Sequence, residues 1–317
     1  MVTNMAPSHK VALIVGASRG IGRQVAIDLA KNGYTVVVAA KSTSDAYATK
    51  PFPPDPNSPQ STVSTVAREI HEAGGQATAL PVDTRDFESV KKMVEETIRI
   101  HGHVDVLVYN SGAIWWASVE NTPFKRFQLM QRVNPEGLYA TIQALLPHFR
   151  NNGWRARIIV VSPPIYSRFF RGKTAYAMGK VGMSVLTKGM AMDFEREKKH
   201  DMAITSIWPA VSIESAATGT ITRTDPTAER DLRKPTIYSD AILAMLNAPT
   251  KVVNGLLALD EDFLREYAGV TDFSKYSVMP GSSPRRIMPA KMPDLTVAEQ
   301  DDEGRRTDST KLRATKL

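Results

Sequence analysis

Tyr176 and Lys180, in the run TAYAMGK, are two residues whose types and spacing can do chemistry together. A residue and its fourth neighbour project from one face of a helix, so a helix here sets a phenol beside an ammonium. A phenol ionises near pH 10 and exchanges its proton poorly at neutral pH. A cation at its side favours the phenolate and brings the group into range. A hydroxyl tuned in this way can hand a proton to an oxygen, or take it back, while bonds to the adjoining carbon change. Alone, the pair says little. An isolated Tyr-x-x-x-Lys is more often a packed ring and a solvated amine, so the surrounding elements have to decide.

The most informative of these is Val11 to Gly33, VALIVGASRGIGRQVAIDLAKNG. Its opening apolar run has the length and β-branched content of a strand buried on both faces. Gly16, Gly20 and Gly22 follow, then an amphipathic repeat that puts Ile21, Val25 and Leu29 on one helical face. Strand, glycine turn and helix together present free backbone N–H groups to a phosphate. Gly16 permits the tight turn, Gly20 the close approach of a pyrophosphate, and Gly22 the packing of helix on strand. The glycine spacing is weak by itself and gains weight from the strand and helix that flank it.

Further along, Thr35–Ala40 reads as a second buried strand ending at Lys41. Residues 42–60 crowd together Pro51, Pro53, Pro54, Pro56 and Pro59, which predicts a surface insertion. Strands are expected over 76–82, leading to Asp83, over 104–109, leading to Asn110-Ser111-Gly112, and over 158–161, 203–208 and 256–259. Helices are expected over about 61–73, 87–101, 174–195 and 239–246. Thr122 and Pro123 suit the N-cap and first position of a further helical region running to Phe149, kinked at Pro135. This alternation predicts an α/β fold, a doubly wound parallel sheet of about seven strands. A single domain over residues 8–268 is expected, with a substrate loop at about 211–235. From 269 to 317, polar residues, prolines and mixed charge predict a mostly disordered tail.

Composition narrows the function. The 317 residues include no cysteine, which excludes disulfides, thiolate metal sites and cysteine nucleophiles and fits a reducing compartment. The net charge of +7 draws much of its excess from the tail. Without aromatic–basic interleaving, nucleic acid is not the expected partner, whereas an anionic cofactor or substrate is. His71, His101, His103, His148 and His200 lack metal-ligand spacing, so no metal is expected. No apolar run is long enough for a membrane span. The polar start MVTNMAPSHK argues against a signal peptide, so a cytoplasmic location is expected. Thr315-Lys316-Leu317 approximates the peroxisomal S-K-L but differs at its first position.

VGASRGIG at 15–22, Val82-Asp83, YNSG at 109–112, Val133-Asn134, Tyr176-x-x-x-Lys180 and Trp208-Pro209 occur in the order typical of the short-chain dehydrogenase/reductase family. Over roughly residues 8–265 the chain resembles that family. Ser162-Pro163-Pro164, Lys41 and the insertion after it are most similar to the hydroxysteroid dehydrogenase-like 2 branch, without the sterol-carrier domain appended in some members. The resemblance implies a Rossmann-type domain, a nicotinamide dinucleotide, a small-molecule carbonyl or secondary alcohol as substrate, and a homo-oligomer, dimer or tetramer. It implies that Gly16, Ser18, Arg19, Gly20, Ile21 and Gly22 hold pyrophosphate and ribose. Asp83 would meet the adenine and Asn110 would line the ribose side. Tyr176 would be the catalytic acid/base, while Lys180 would bind the nicotinamide ribose and lower the phenol pKa. Asn134 would hold a water linking Lys180 to solvent, and Ile213 and Ser215 would contact the carboxamide.

Two features refine this picture. An NAD site wants a carboxylate at the end of the second strand. Here Ala39-Ala40-Lys41 supplies none, and Arg19 stands inside the glycine turn. Two cations near a 2′-phosphate favour NADP(H) through charge-assisted hydrogen bonds. The second feature is a departure: the family's catalytic serine, 13 residues before the tyrosine, is Pro163 here. Ser162 precedes it by one residue, and successive strand residues face opposite ways. Ser162, Tyr166 and Ser167 are the hydroxyls available to compensate. Two readings follow: an NADP(H)-dependent carbonyl reductase or alcohol dehydrogenase for a lipid-like or secondary-metabolite substrate, and a cofactor-binding sensor or interaction module with little turnover. Trp115 and Trp116 either wall the pocket or pack.

Overall fold

The computed structural model describes residues 9–295. Seven strands form a parallel sheet: β1 (Val11–Val15), β2 (Thr35–Ala40), β3 (Gln76–Pro81), β4 (Val106–Tyr109), β5 (Ala156–Val161), β6 (Met202–Trp208) and β7 (Leu257–Leu259). Their order is β3-β2-β1-β4-β5-β6-β7. The helices are α1 (Gly20–Lys31), α2 (Val63–Glu72), α3 (Phe87–His101), α4 (Phe124–Gln131), α5 (Gly137–Asn151), α6 (Thr174–Arg196), α7 (Gly219–Thr224), α8 (Thr236–Asn247), α9 (Thr250–Val253) and α10 (Asp260–Tyr267).

The sheet is covered on both faces, and the period-two alternation of strands sorts its residues between two cores. Ala12 and Ile14 of β1 join Val36, Val38, Leu29 and Tyr238 on one side. Leu13 and Val15 join Val37, Leu107, Phe149 and Met183 on the other. Both faces of β1 are thus dry, which explains why it appears in the sequence as an uninterrupted apolar run. The strand order reverses between β1 and β4, and loops leaving the carboxyl ends of such strands border the crevice where ligands bind in open α/β sheets. The glycine turn and Asn110 lie on those two loops.

Several expected details change. Pro123, not Thr122, caps α4, because the Thr122 hydroxyl donates to Ser118 O at 2.7 Å instead. Pro135 falls in a π-helical turn, Arg132–Glu136, between α4 and α5. A proline has no N–H to donate and crowds the preceding turn, and the wider turn accommodates it. The proline-rich insertion is irregular, as expected, but it is fastened to the glycine turn. Gly20 N donates to Pro56 O at 2.9 Å, and the Ser61 hydroxyl donates to Ser18 O at 2.7 Å.

The largest difference lies beyond residue 268, where disorder is expected. Residues 269–295 pack back on the domain, burying Phe273, Tyr276 and Met288. Their arginines find acids: Arg285 pairs with Asp231 at 2.7 Å, and Arg286 binds Asp262 at 2.7 Å. A few well-placed apolar side chains and specific ion pairs order a segment whose average composition is polar. Residues 296–317, including Thr315-Lys316-Leu317, lie outside the described residues. Among those described, no helix is long and apolar enough to cross a membrane, and no cluster of metal-ligating side chains occurs.

Candidate active site

Gly16 and Gly20 take left-handed backbone angles, φ +89° and +55°, which favour glycine. A Cβ on Gly16 would lie 2.5 Å from Ser111 N, and one on Gly22 would collide with Gly16 O. The first keeps the two crevice loops in contact, and the second seats α1 against the turn. Asn110 ties the same loops together, its Nδ2 donating to Gly16 O at 2.8 Å.

A cavity of about 750 Å³ runs from this turn to the pair on α6, a size typical of ligand pockets. Gly16, Ser18, Arg19, Gly20, Ile21, Lys41, Asp83, Asn110, Tyr176, Lys180, Ile213 and Ser215 all line it. Gly22 does not line it and acts through packing alone. Arg19, Lys41, Arg85 and Lys180 are its basic side chains, against one acid, Asp83. The first turn of α1 contains no acidic residue. Glycine turn, helix N-terminus and excess positive charge suit a ligand carrying phosphates, so the residues present fit a dinucleotide.

Arg85 went unnoticed in the sequence. Its guanidinium grips Asp83, with Nε donating at 2.8 Å and Nη2 at 2.5 Å. Lys41 Nζ reaches the same carboxylate at 3.3 Å. These hydrogen bonds, Arg85 foremost, hold the Asp83 carboxyl well below the usual carboxylate range. Arg19 Nη2 donates to Ser42 Oγ at 3.4 Å. Arg19 and Lys41 stand by the end of β2, where Lys41 shares the Asp83 carboxylate with Arg85.

At the other end, Tyr176 is 3% exposed, with the Trp116 ring edge-on at 6.3 Å between centroids. Trp116 walls the cavity. Trp115 instead packs beside the cluster of Met130, Phe169 and Tyr176, beneath the Arg126 guanidinium. Lys180 is buried, and its Nζ donates to Val161 O at 2.8 Å. Burial pushes the Tyr176 phenol up and the Lys180 ammonium down to about 7. Removal from water disfavours both charged forms, so burial opposes the lowering of the phenol expected from the lysine.

Asn134 and Ser162 stand apart from the cavity. Asn134 is fully buried and adjoins Gly112 near Lys180. Its amide is committed to the backbone of Ala113, accepting from N at 2.8 Å and donating to O at 3.1 Å. It secures the loop after β4. Ser162 is also fully buried, and its Oγ has no hydrogen-bond partner. Tyr166 donates its hydroxyl to Met288 Sδ at 3.2 Å. Neither Ser162, Tyr166 nor Ser167 lines the cavity.

The cavity thus joins the glycine turn to a buried tyrosine–lysine pair at the reversal point of a parallel sheet. The short chain dehydrogenase model matches residues 10–51 and 57–225, and the chain belongs to that family. It is 36% identical over 270 residues to hydroxysteroid dehydrogenase-like protein 2 of Danio rerio, covering 84% of this chain and 60% of that protein. The chain thus spans about 60% of the length of such curated relatives. A short chain dehydrogenase from Mycobacterium thermoresistibile is 35% identical with a TM-score of 0.75, covering 87% of this chain and 93% of that one. A 7α-hydroxysteroid dehydrogenase, complexed with NADH and 7-oxo glycochenodeoxycholic acid, is 25% identical with a TM-score of 0.64, covering 79% of this chain and 92% of that one.

Proposed function

We propose that the protein is an NADP(H)-dependent oxidoreductase that interconverts a carbonyl compound and a secondary alcohol. The observation that carries this reading is the continuity of one cavity from the glycine turn to Tyr176 and Lys180. Bound NADP(H) supplies or accepts hydride at its nicotinamide ring. The chain's own residues do the rest. Ser18 and Ile21 receive the pyrophosphate on backbone N–H groups, while Gly16 and Gly20, whose own N–H groups donate to Ala39 O and Pro56 O, shape the turn and Gly22 gives α1 its close seat. Arg19, Lys41 and Arg85 take the 2′-phosphate, and Asp83, oriented by Arg85, and Asn110 line the adenine and ribose.

Tyr176 moves a proton to or from the carbonyl oxygen, and Lys180 in its charged form favours the phenolate. Asn134 acts through the loop it fastens, and Ile213 and Ser215 border the nicotinamide end. Ser162 makes no contact with the cavity, so the oxyanion lacks one customary donor. Such a loss costs about 10² to 10³ in rate. An apolar wall of Ile114, Trp116, Leu129 and Trp208 favours a lipid-like or secondary-metabolite substrate.

The same reading takes the protein to be a homo-oligomer. Tyr139 on α5 and Met178, Val185 and Met192 on α6 are each more than half exposed, an apolar surface suited to a second copy. The cysteine-free composition accords with a cytoplasmic, reducing location. The experiment is NADPH oxidation by the purified protein across a panel of aldehydes and ketones, with NADH alongside. Turnover with preference for NADPH is expected. Binding of NADPH without turnover of any carbonyl would favour the sensor reading.

A further inference from the structure

Beyond α10 the chain returns to the cavity. Arg286 forms an antiparallel bridge with Val211, and the backbone N–H groups of Ile287 and Met288 both donate to Ala210 O, at 2.8 and 3.2 Å. Alternate residues of an extended segment face opposite ways, and the contacts follow that rule. Met288 is 5% exposed and packs against Ala210 and Leu259. The guanidinium of Arg286 donates to Asp262 at 2.7 Å and to the carbonyl of Met288 at 2.8 Å. It joins α10 to the strap's own backbone. Ile287, between these two anchors, is 53% exposed and lines the cavity with Trp208 and Pro209.

We propose that Ile287 is a specificity-determining wall of the substrate end of this cavity, selecting by bulk among uncharged apolar carbonyl compounds, with Arg286 as its positioning residue. The inference rests on the cavity being the site of hydride transfer. Its basis is separate: Ile287 belongs to a segment outside the residues shared with the family model. No charged side chain stands among Ile114, Trp116, Leu129, Trp208 and Ile287. An isoleucine there can accept or refuse a ring without disturbing the phosphate end. One added group in a hydrophobic pocket changes discrimination by roughly tenfold or more.

The test titrates cyclohexanone and 2-decalone calorimetrically into the full chain and its Ile287→Ala, Ile287→Phe and Arg286→Met variants, with NADPH affinity measured in parallel. Ile287→Phe is expected to weaken 2-decalone on the order of tenfold while changing cyclohexanone far less. Ile287→Ala is expected to shift the ratio of the two affinities the other way. Arg286→Met should reduce that ratio toward one with NADPH affinity unchanged, an outcome that general loss of structure does not give. Equal shifts for both ketones, no shift, or failure of the unaltered chain to bind 2-decalone would overturn the proposal. If NADPH does not bind the unaltered chain, the functional reading fails, whereas the ketone titrations still report on residue 287.

Discussion

Burial sets the charges of Tyr176 and Lys180 against their ordinary values. Lys180 is held near 7, so at pH 8 most of its amines are neutral in the free protein. An anionic dinucleotide beside it favours the charged form. Cofactor binding at pH 8 is therefore expected to take up a proton, seen as a dependence of binding enthalpy on buffer ionisation enthalpy. The Lys180→Met variant should lose that uptake. A second buried group makes a stability prediction. Asp260 is 1% exposed, and burial raises its carboxyl to about 7 although Ala210 N and Glu261 N both donate to it. A carboxyl raised on folding adds stability fully present below its unfolded pKa near 4, and that contribution fades as pH climbs through 7. Urea midpoints should thus fall between pH 5 and 8, and Asp260→Asn, which keeps an acceptor, should flatten that fall. Tyr176 and Lys180 could be picked out in the sequence because residues four apart share a helix face, and Asp83 only through the family resemblance. Arg85 could not: it stands two residues past Asp83 in a turn, and only the fold shows it closing on that carboxylate.

Elements were legible where their environment is uniform. β1 and β2 are dry on both faces and so read as continuous apolar runs, found to the residue. The strap after α10 was illegible for the opposite reason. Its buried Phe273, Tyr276 and Met288 are scattered among polar residues with no helical or strand period, and its ion-pair partners are distant in sequence. α10 itself begins Asp260-Glu261-Asp262 and buries few apolar side chains, which hides it among charges. Strand alternation predicts that Ser162, one residue before Pro163, faces away from the substrate side, and Ser162 is not among the residues that line the cavity. At this scale the glycine turn gives the sharpest prediction. A methyl group at residue 22 would collide with Gly16 O, a backbone atom that cannot swing aside. Gly22→Ala is expected to weaken NADPH binding by at least tenfold, or to lower the melting temperature by several degrees if α1 shifts, as overpacking typically costs about 1–3 kcal/mol. Fluorescence titration and a thermal melt check the two outcomes.

For the whole molecule, one end of the cavity is built from the β1, β2, β3 and β4 ends and the other from Tyr176 and Lys180 on α6, so in the proposed reading binding and chemistry are joined by the packing of two halves of one sheet. A ligand that bridges them stabilises the native state by about 2.7 kcal/mol at a hundred times its Kd. NADPH is expected to raise the melting temperature more than NADH at equal concentration if Arg19, Lys41 and Arg85, which line one end of the cavity, take the 2′-phosphate as proposed. Equal shifts would remove the argument for the 2′-phosphate. The exposed Val185 and Met192 on α6 supply a further check on assembly: Val185→Lys is expected to lower the molar mass measured by light scattering, and an unchanged mass would place the interface elsewhere. The account as a whole depends on a phenol moving a proton while hydride is transferred beside it. The measurement that bears on this most directly is NADPH oxidation with a turned-over carbonyl by the unaltered chain and by Tyr176→Phe, with NADPH affinity determined for both. The account predicts a loss of about 10² to 10⁴ in kcat at unchanged NADPH affinity; an undiminished rate in the phenylalanine variant would contradict it.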